Sequence, residues 1–328
     1  MIYSTLRSIG LASCFLYPIR QLESFRIEST HTMRRDAMKT TWSVGHATTT
    51  TTCMAAPSLE VIDEARNMMP EIVEKMPDPL PEVLKNQYYM LRHGQSTANI
   101  AEIISSSRSL AYSEKHGLTA FGYEQGKESA NQLLDILEKE GANPGQKVLF
   151  VSSPFARARQ TAEACMDGLV DNEGNQERIK RMGIEIENEI AIENRLMERY
   201  FGRLDDDSIY TYSYVWPMDA INVTHTAFDV ESVAAVCTRL LEVVKRCEKL
   251  YNDMHIVWVS HADVLQIGQL YAANAENVGK FSSYRFKNGE VRAVKNTPDS
   301  LPDPVPLEAP KRGTTRYTES IEPPEPLQ

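Results

Sequence analysis

Three short and almost wholly apolar runs stand out along this chain: Gln87 to Leu91, Val148 to Val151 and Ile256 to Val259. Runs this short, without polar alternation, predict strands buried on both faces. Between them the apolar positions shift to helical spacing. Ala130, Leu133, Leu134 and Leu137 share one face of a predicted helix that Thr119 can cap and that runs to Glu140, where Gly141 can close it. Val233, Cys237, Leu240, Leu241 and Val244 mark an amphipathic helix over Asp229 to Asn252. Ser153-Pro154 predicts another helix start, with serine as cap and proline at the first helical position. Leu59 to Lys75 reads as a helix ended by the prolines at 77, 79 and 81, and Tyr284 to Val294 as a β-hairpin turning at Asn288-Gly289. This alternation predicts an α/β fold. Its form is a three-layer sandwich, a mixed and mostly parallel central sheet with helices on both faces, the hairpin supplying the antiparallel part.

Composition changes at both ends of this pattern. Residues 1–57 hold six basic residues (Arg7, Arg20, Arg26, Arg34, Arg35, Lys39) against three acidic ones, a net of +3 where the whole chain carries −10, so the rest carries −13. A basic, hydroxyl-rich leader of this kind has the composition of a plastid or mitochondrial transit peptide. A disordered tail, or a start at Met54, is the alternative, and a cytoplasmic protein then follows. Residues 58–85 read as an N-terminal helix and proline-rich linker, 86–296 as the principal domain, and 297–328, rich in proline, as a disordered tail.

The five cysteines (Cys14, Cys53, Cys165, Cys237, Cys247) form no C-x-x-C pair, which points to neither a disulfide framework nor a zinc knuckle and suits a reducing compartment. No apolar run reaches membrane-spanning length. The acidic balance argues against a general nucleic-acid binder. A small molecule is the expected partner, with neither nucleic acid nor membrane. Nothing in the pattern sets an oligomeric state.

In open α/β sheets ligands bind beyond the carboxyl ends of the strands. Arg92-His93, Ser152-Ser153 and Ser260-His261 all fall at such ends, so three strands deliver polar groups to one edge. A neutral imidazole at His93 can attack phosphorus. Arg157, one turn into the helix after Ser153-Pro154, can grip two phosphate oxygens, and His261 can add a hydrogen bond. Breaking a phosphate ester also requires an acid for the leaving oxygen; Glu198 and Glu193 are both placed for it, and the chemistry alone does not choose. Asp205 to Asp207 reads as a solvated turn and Arg159 as a surface ion-pair partner. Any one of these residues is equally a structural one.

Taken in order, Arg92-His93-Gly94, Ser153-Pro154-x-x-Arg157 with Gln160-Thr161-Ala162, Glu198-Arg199-Tyr200-Phe201-Gly202 and Val259-Ser260-His261 resemble the histidine phosphatase superfamily, also called phosphoglycerate mutase-like. The resemblance spans Tyr88 to about Val294. It implies that His93 is phosphorylated, that Arg92, Arg157 and His261 hold the phosphate, that Glu198 is the proton donor and that Asn99 lines the substrate pocket. It implies no metal or organic cofactor. Ala262 departs from the family's glycine after the second histidine, a change compatible with activity unless the backbone there needs positive φ.

Ile103 to Ser107 and Tyr214 to Asp219 do not look like the corresponding mutase segments, whereas Glu198 to Gly202 with Ser260 to Gln266 looks closer to phosphoglycerate mutase-like proteins of plants and algae. The expectation is a phosphomonoesterase acting on a small phosphorylated metabolite. A mutase-type phosphoryl transfer and a non-catalytic phosphate-binding scaffold are the alternatives. Specificity is expected from two loop-like stretches, Ala101 to His116 and Asp205 to Phe228.

Overall fold

The computed structural model describes residues 58–306. The leader, with Cys14 and Cys53, lies outside the described residues, as does the tail beyond 306. Six strands form one sheet: β1 (Gln87–Arg92), β2 (Lys147–Ser152), β3 (Glu185–Ile186), β4 (Ala191–Ile192), β5 (Met254–Ser260) and β6 (Val291–Ala293). Their order is β3-β2-β5-β1-β6, with β4 also pairing β2. All pairs are parallel except β6 against β1.

Successive side chains of a strand point to opposite faces, so each apolar run serves two cores. Tyr88, Met90, Leu149, Val151, Ile256 and Trp258 pack against α7 (Val233–Leu250) and α8 (Ala262–Ala272). Tyr89, Leu91, Val148, Phe150, Val257 and Val259 pack against α3 (Ala120–Glu140) and α4 (Ala156–Val170). This is the three-layer α/β arrangement the sequence predicts. Burying each large apolar side chain contributes about 1.5–3 kcal/mol, and two filled faces hold the central strands rigid.

Thr119 caps α3 by accepting from Gly122 N–H at 3.0 Å, and Gly141 closes it at φ 78°, both as expected. The helix expected from Asp229 begins instead at Val233, capped by Ser232 Oγ, because Phe228 and Asp229 take positive φ in a turn. Three further expectations need correction. The first helix, α1 (Leu59–Asn67), stops well before Lys75. Pro70 is the reason, since it lacks an N–H and disfavours helix at the residue before it. Ser153-Pro154 does not start a helix; α4 begins at Ala156 with Phe155 in the cap position, which frees Ser153 Oγ for another partner.

The hairpin does not form either. Only β6 is a strand, and it pairs with β1. Asn288-Gly289 makes the turn, but docks it on the end of β1, with Gly289 N–H donating to Arg92 O at 3.1 Å. Three helices complete the body: the short α2 (Thr97–Ile100), α5 (Glu173–Met182) and α6 (Tyr212–Ile221). The last lies within the stretch read as loop. Of the proline-rich tail, Leu301 packs on the core and Val305 N–H bonds Ser283 O at 2.7 Å.

Candidate active site

The carboxyl ends of β2, β5 and β1 lie side by side, and the hydrogen-bond ladder continues one residue past them. His93 N–H donates to Ser260 O and Ser153 N–H to Val259 O, each at 3.0 Å. The sheet thereby fixes the backbones of Arg92-His93, Ser153 and Ser260-His261 along one edge.

His93 is buried, with Nδ1 2.7 Å from Gly94 O. A carbonyl only accepts, so the ring proton sits on Nδ1 and the lone pair on Nε2. Burial, then the Arg157 and Arg92 cations, hold the imidazole well below the usual histidine range, and it is neutral at neutral pH. Nε2 meets Arg157 Nε at 3.2 Å. The loop that carries the ring is anchored tightly: Asn288 Nδ2 donates to His93 O at 2.9 Å, and Gly94 N–H to Thr161 Oγ1 at 3.0 Å. A Cβ on Gly94 would stand 2.2 Å from Gly122 O, so only glycine permits this approach to the start of α3.

Arg157 lies in the first turn of α4 and is 4% exposed. Nη2 donates to Ser105 O at 2.8 Å and Nη1 to Ser105 Oγ at 3.3 Å. Burial pushes its pKa down to about 10, which leaves it cationic at neutral pH. Arg92 Nη1 donates to Phe286 O at 2.6 Å, while its Nε is buried with no partner among the described residues. His261 packs edge-on at 5.2 Å against both His93 and Phe155. Its Nε2 lies 2.8 Å from Ser153 Oγ, the atom released by the late start of α4, and its buried Nδ1 is unpartnered among the described residues. Ala262 opens α8 without positive φ, so a methyl there costs no backbone strain.

Glu198 is buried, and its Oε1 accepts from Arg199 N–H at 2.9 Å. Burial raises its pKa more than Arg157, Arg92 and Arg239 lower it. Glu193, the other candidate, is committed elsewhere, pairing Arg195 at 3.1 Å and Arg246 at 3.4 Å. Asp205 is not simply a solvated turn residue, since Oδ1 accepts from Ser106 Oγ at 2.7 Å. Arg159 pairs with the exposed Glu114 at 2.7 Å, as expected, but is itself mostly covered and also donates to Pro154 O and Ser113 O at 3.0 Å each.

Asn99 stands apart from the other predicted residues. Its Oδ1 accepts from Ser96 N–H at 3.0 Å, forming a capping box on α2, and lies 3.4 Å from Asn288 Nδ2. It braces the His93 loop through Asn288 rather than meeting the imidazole. Among the described residues no cluster of three His, Cys, Asp or Glu side chains is arranged to hold a metal ion.

Several site residues carry no readable sequence signal. Ser105 holds the Arg157 guanidinium. Arg108 Nη1 donates to Glu198 O at 2.6 Å and is tied, with Arg239, to the buried Glu231. Tyr212, on α6, stacks on Trp216 at 4.6 Å, and its hydroxyl pKa is raised by burial and by the Asp263 and Glu198 carboxylates, against the pull of Arg92 and Arg157. Trp216 Nε1 in turn donates to Asp263 Oδ2 at 3.3 Å.

Comparison with known proteins adds one family. A model described as the histidine phosphatase superfamily (branch 1) matches residues 88–301. Among solved structures, a mycobacterial glucosyl-3-phosphoglycerate phosphatase complexed with VO3 is 18% identical over 63% of this chain and 91% of its own, with a TM-score of 0.45. A phosphoserine phosphatase mutant from Entamoeba histolytica, complexed with phosphoserine, is 14% identical over 63% and 89%, with a TM-score of 0.44. The product of an open reading frame of Mycobacterium tuberculosis is 18% identical over 63% and 90%, with a TM-score of 0.45. No curated protein matches the sequence.

Proposed function

This chain belongs to branch 1 of the histidine phosphatase superfamily, and we propose that it hydrolyses a phosphate monoester of a small metabolite through a phosphohistidine at His93. The observation that carries this reading is the state of His93: neutral, protonated on Nδ1, with Nε2 facing the Arg157 guanidinium. A phosphate in this place would take over the Arg157 hydrogen bond and present phosphorus to the lone pair.

In the first step Nε2 forms the P–N bond as the ester P–O bond breaks, and Glu198, whose pKa burial raises, gives its proton to the leaving oxygen. Arg92 Nε and His261 Nδ1, both buried and unpartnered among the described residues, would then bind phosphoryl oxygens. For His261 this requires the Ser153 hydroxyl to donate to Nε2, which leaves the ring proton on Nδ1. In the second step water attacks phosphorus, the P–N bond breaks, and Glu198 takes the water proton. Preorganised donors of this kind stabilise charge as it develops, with no reorganisation at the moment of reaction.

The finer readings belong to the same proposal. Within the family, Glu198–Gly202 and Ser260–Gln266 look closer to the phosphoglycerate mutase-like proteins of plants and algae than to the mutases, and the basic leader supports import into an organelle. The test is a phosphoenzyme trap. Protein mixed with a labelled phosphate ester and quenched in base should carry one base-stable label, absent from His93→Ala, whose turnover should fall to background. Turnover surviving in His93→Ala would sink the nucleophile assignment, and isomerisation of phosphoglycerate primed by a bisphosphate would favour a mutase instead.

A further inference from the structure

Among the described residues Arg157 is the only arginine that touches the nucleophilic nitrogen, and no carboxylate pairs with its guanidinium. Two of its nitrogens are held by Ser105, through the carbonyl at 2.8 Å and the hydroxyl at 3.3 Å. A guanidinium only donates, so Ser105 Oγ accepts from it and has one proton left to place. That oxygen lies 2.7 Å from Nδ1 of His116. From this geometry we infer that His116 is a positioning residue for the phosphate grip: it accepts the Ser105 hydroxyl, fixes the direction of that oxygen, and through it sets Arg157 against His93. The inference rests on the phosphatase reading for its purpose, though not for its geometry.

Other features agree. Burial first, then Lys115 and Arg157, hold His116 below the usual histidine range against the opposing pull of Asp206 and Asp205. A neutral ring whose Nδ1 accepts carries its proton on Nε2. His116 also sits at φ 60°, in the left-handed region that histidine enters more readily than most non-glycine residues. A cavity of about 200 Å³ opens beside Ser105, with Ser107, Lys115, His116 and Asp206 in its wall.

Equilibrium binding of inorganic phosphate, measured by calorimetry, reads the grip without turnover. His116→Leu removes the acceptor and should weaken phosphate roughly tenfold, the scale of one misplaced charge-assisted hydrogen bond. His116→Asn puts a carboxamide oxygen near the position of Nδ1 and tolerates positive φ, so it should restore binding to within about twofold of the unaltered protein. Ser105→Ala cuts the relay in its middle, and should weaken phosphate about as much as His116→Leu even if the latter folds poorly. Phosphate binding unchanged in Ser105→Ala, or lost equally in the leucine and asparagine variants, overturns the inference. A protein that binds phosphate with this pattern but turns over no ester would instead overturn the phosphatase reading and leave the relay standing.

Discussion

Replacing Glu198 by glutamine removes a proton from the site while keeping its shape. Oε1 accepts the Arg199 N–H at 2.9 Å, a bond that a carboxamide oxygen makes equally well, and the main-chain carbonyl stays on Arg108. The variant should therefore fold and bind phosphate. A positioned general acid contributes about 10²–10⁴ in rate, or about 3–5 kcal/mol at 1.36 kcal/mol per tenfold. Glu198→Gln should lose that factor on alkyl phosphates, whose alkoxide leaves poorly without a proton. On p-nitrophenyl phosphate, whose phenolate leaves unaided, the loss should stay within roughly tenfold.

The pH dependence follows with a definite sign. The acid must be protonated to act, and burial sets its pKa above the ordinary carboxylate range. Rate on an alkyl ester should be full below that raised pKa and fall as pH rises through it, and this fall should vanish in Glu198→Gln. Stopped assays of phosphate release across pH, with both esters and both proteins, decide the matter. Equal losses on the two esters would refute the reasoning. In that event Asp263 is the carboxyl to test next, since burial pushes it up to about 7 against the pull of Arg199, and Asp263→Asn would carry the leaving-group dependence.

Three other outcomes follow from the packing. Gly94→Ala would place a methyl 2.2 Å from Gly122 O, so the His93 loop must retreat from α3; a shift on the order of 1 Å at the nucleophile should cut kcat about 10²-fold, and a kcat unchanged at normal Tm would show that the loop yields without moving His93. Arg199→Met leaves Asp219 and Asp263 buried without their shared cation, from which they stand 2.7 and 3.5 Å away; denaturant unfolding should show a loss of about 3–5 kcal/mol, and a loss under about 1 kcal/mol would mean that the pair behaves as a surface one. A chain begun at Pro57 retains α1, whose Ala65 packs with Ala111, Phe155 and Met197, and should keep full turnover; one begun at Leu80 uncovers that cluster beside His261 and should melt lower and turn over more slowly.

The phosphate end of the site was legible because it hangs on strand ends. A parallel strand buried on both faces reads as a continuous apolar run, and the residue after the run is then committed to the sheet edge. Arg92-His93 and Ser260-His261 follow directly from that rule, while Arg157 follows from a helix that must start near Ser153. Glu198 did not follow from periodicity: it sits on irregular backbone between β4 and α6, held by Arg108 and Arg199, and only the ordered motif separated it from Glu193. The hairpin failed for a related reason. Asn288-Gly289 supplies correct turn chemistry, but the competing bonds to Arg92 O and His93 O spend the turn on fixing the His93 loop rather than on pairing two strands.

The two stretches where specificity is expected are unreadable by pattern for a deeper cause. Glu102, Tyr112, His116, Asp206 and Phe228 all take positive φ and all fall within the two stretches where specificity was expected. None is glycine, so local propensity argues against Glu102, Tyr112 and Phe228 and favours Asp206 and His116 only weakly, while contacts such as Ser105 to His116 and Asp205 to Ser106 tie these stretches across the site. A pattern of periods and caps records what a segment does with its own neighbours. It cannot record a backbone imposed from across the site. On the proposed function, the reaction is written where the sheet dictates geometry, and the choice of substrate where distant contacts do. On this reasoning, substitutions within 101–116 and 205–228 should alter which ester is preferred, measured as ratios of kcat/KM between substrates, while leaving the base-stable label on His93 in place. Variants there that abolish the label without changing preference would show that these stretches serve the phosphate grip alone.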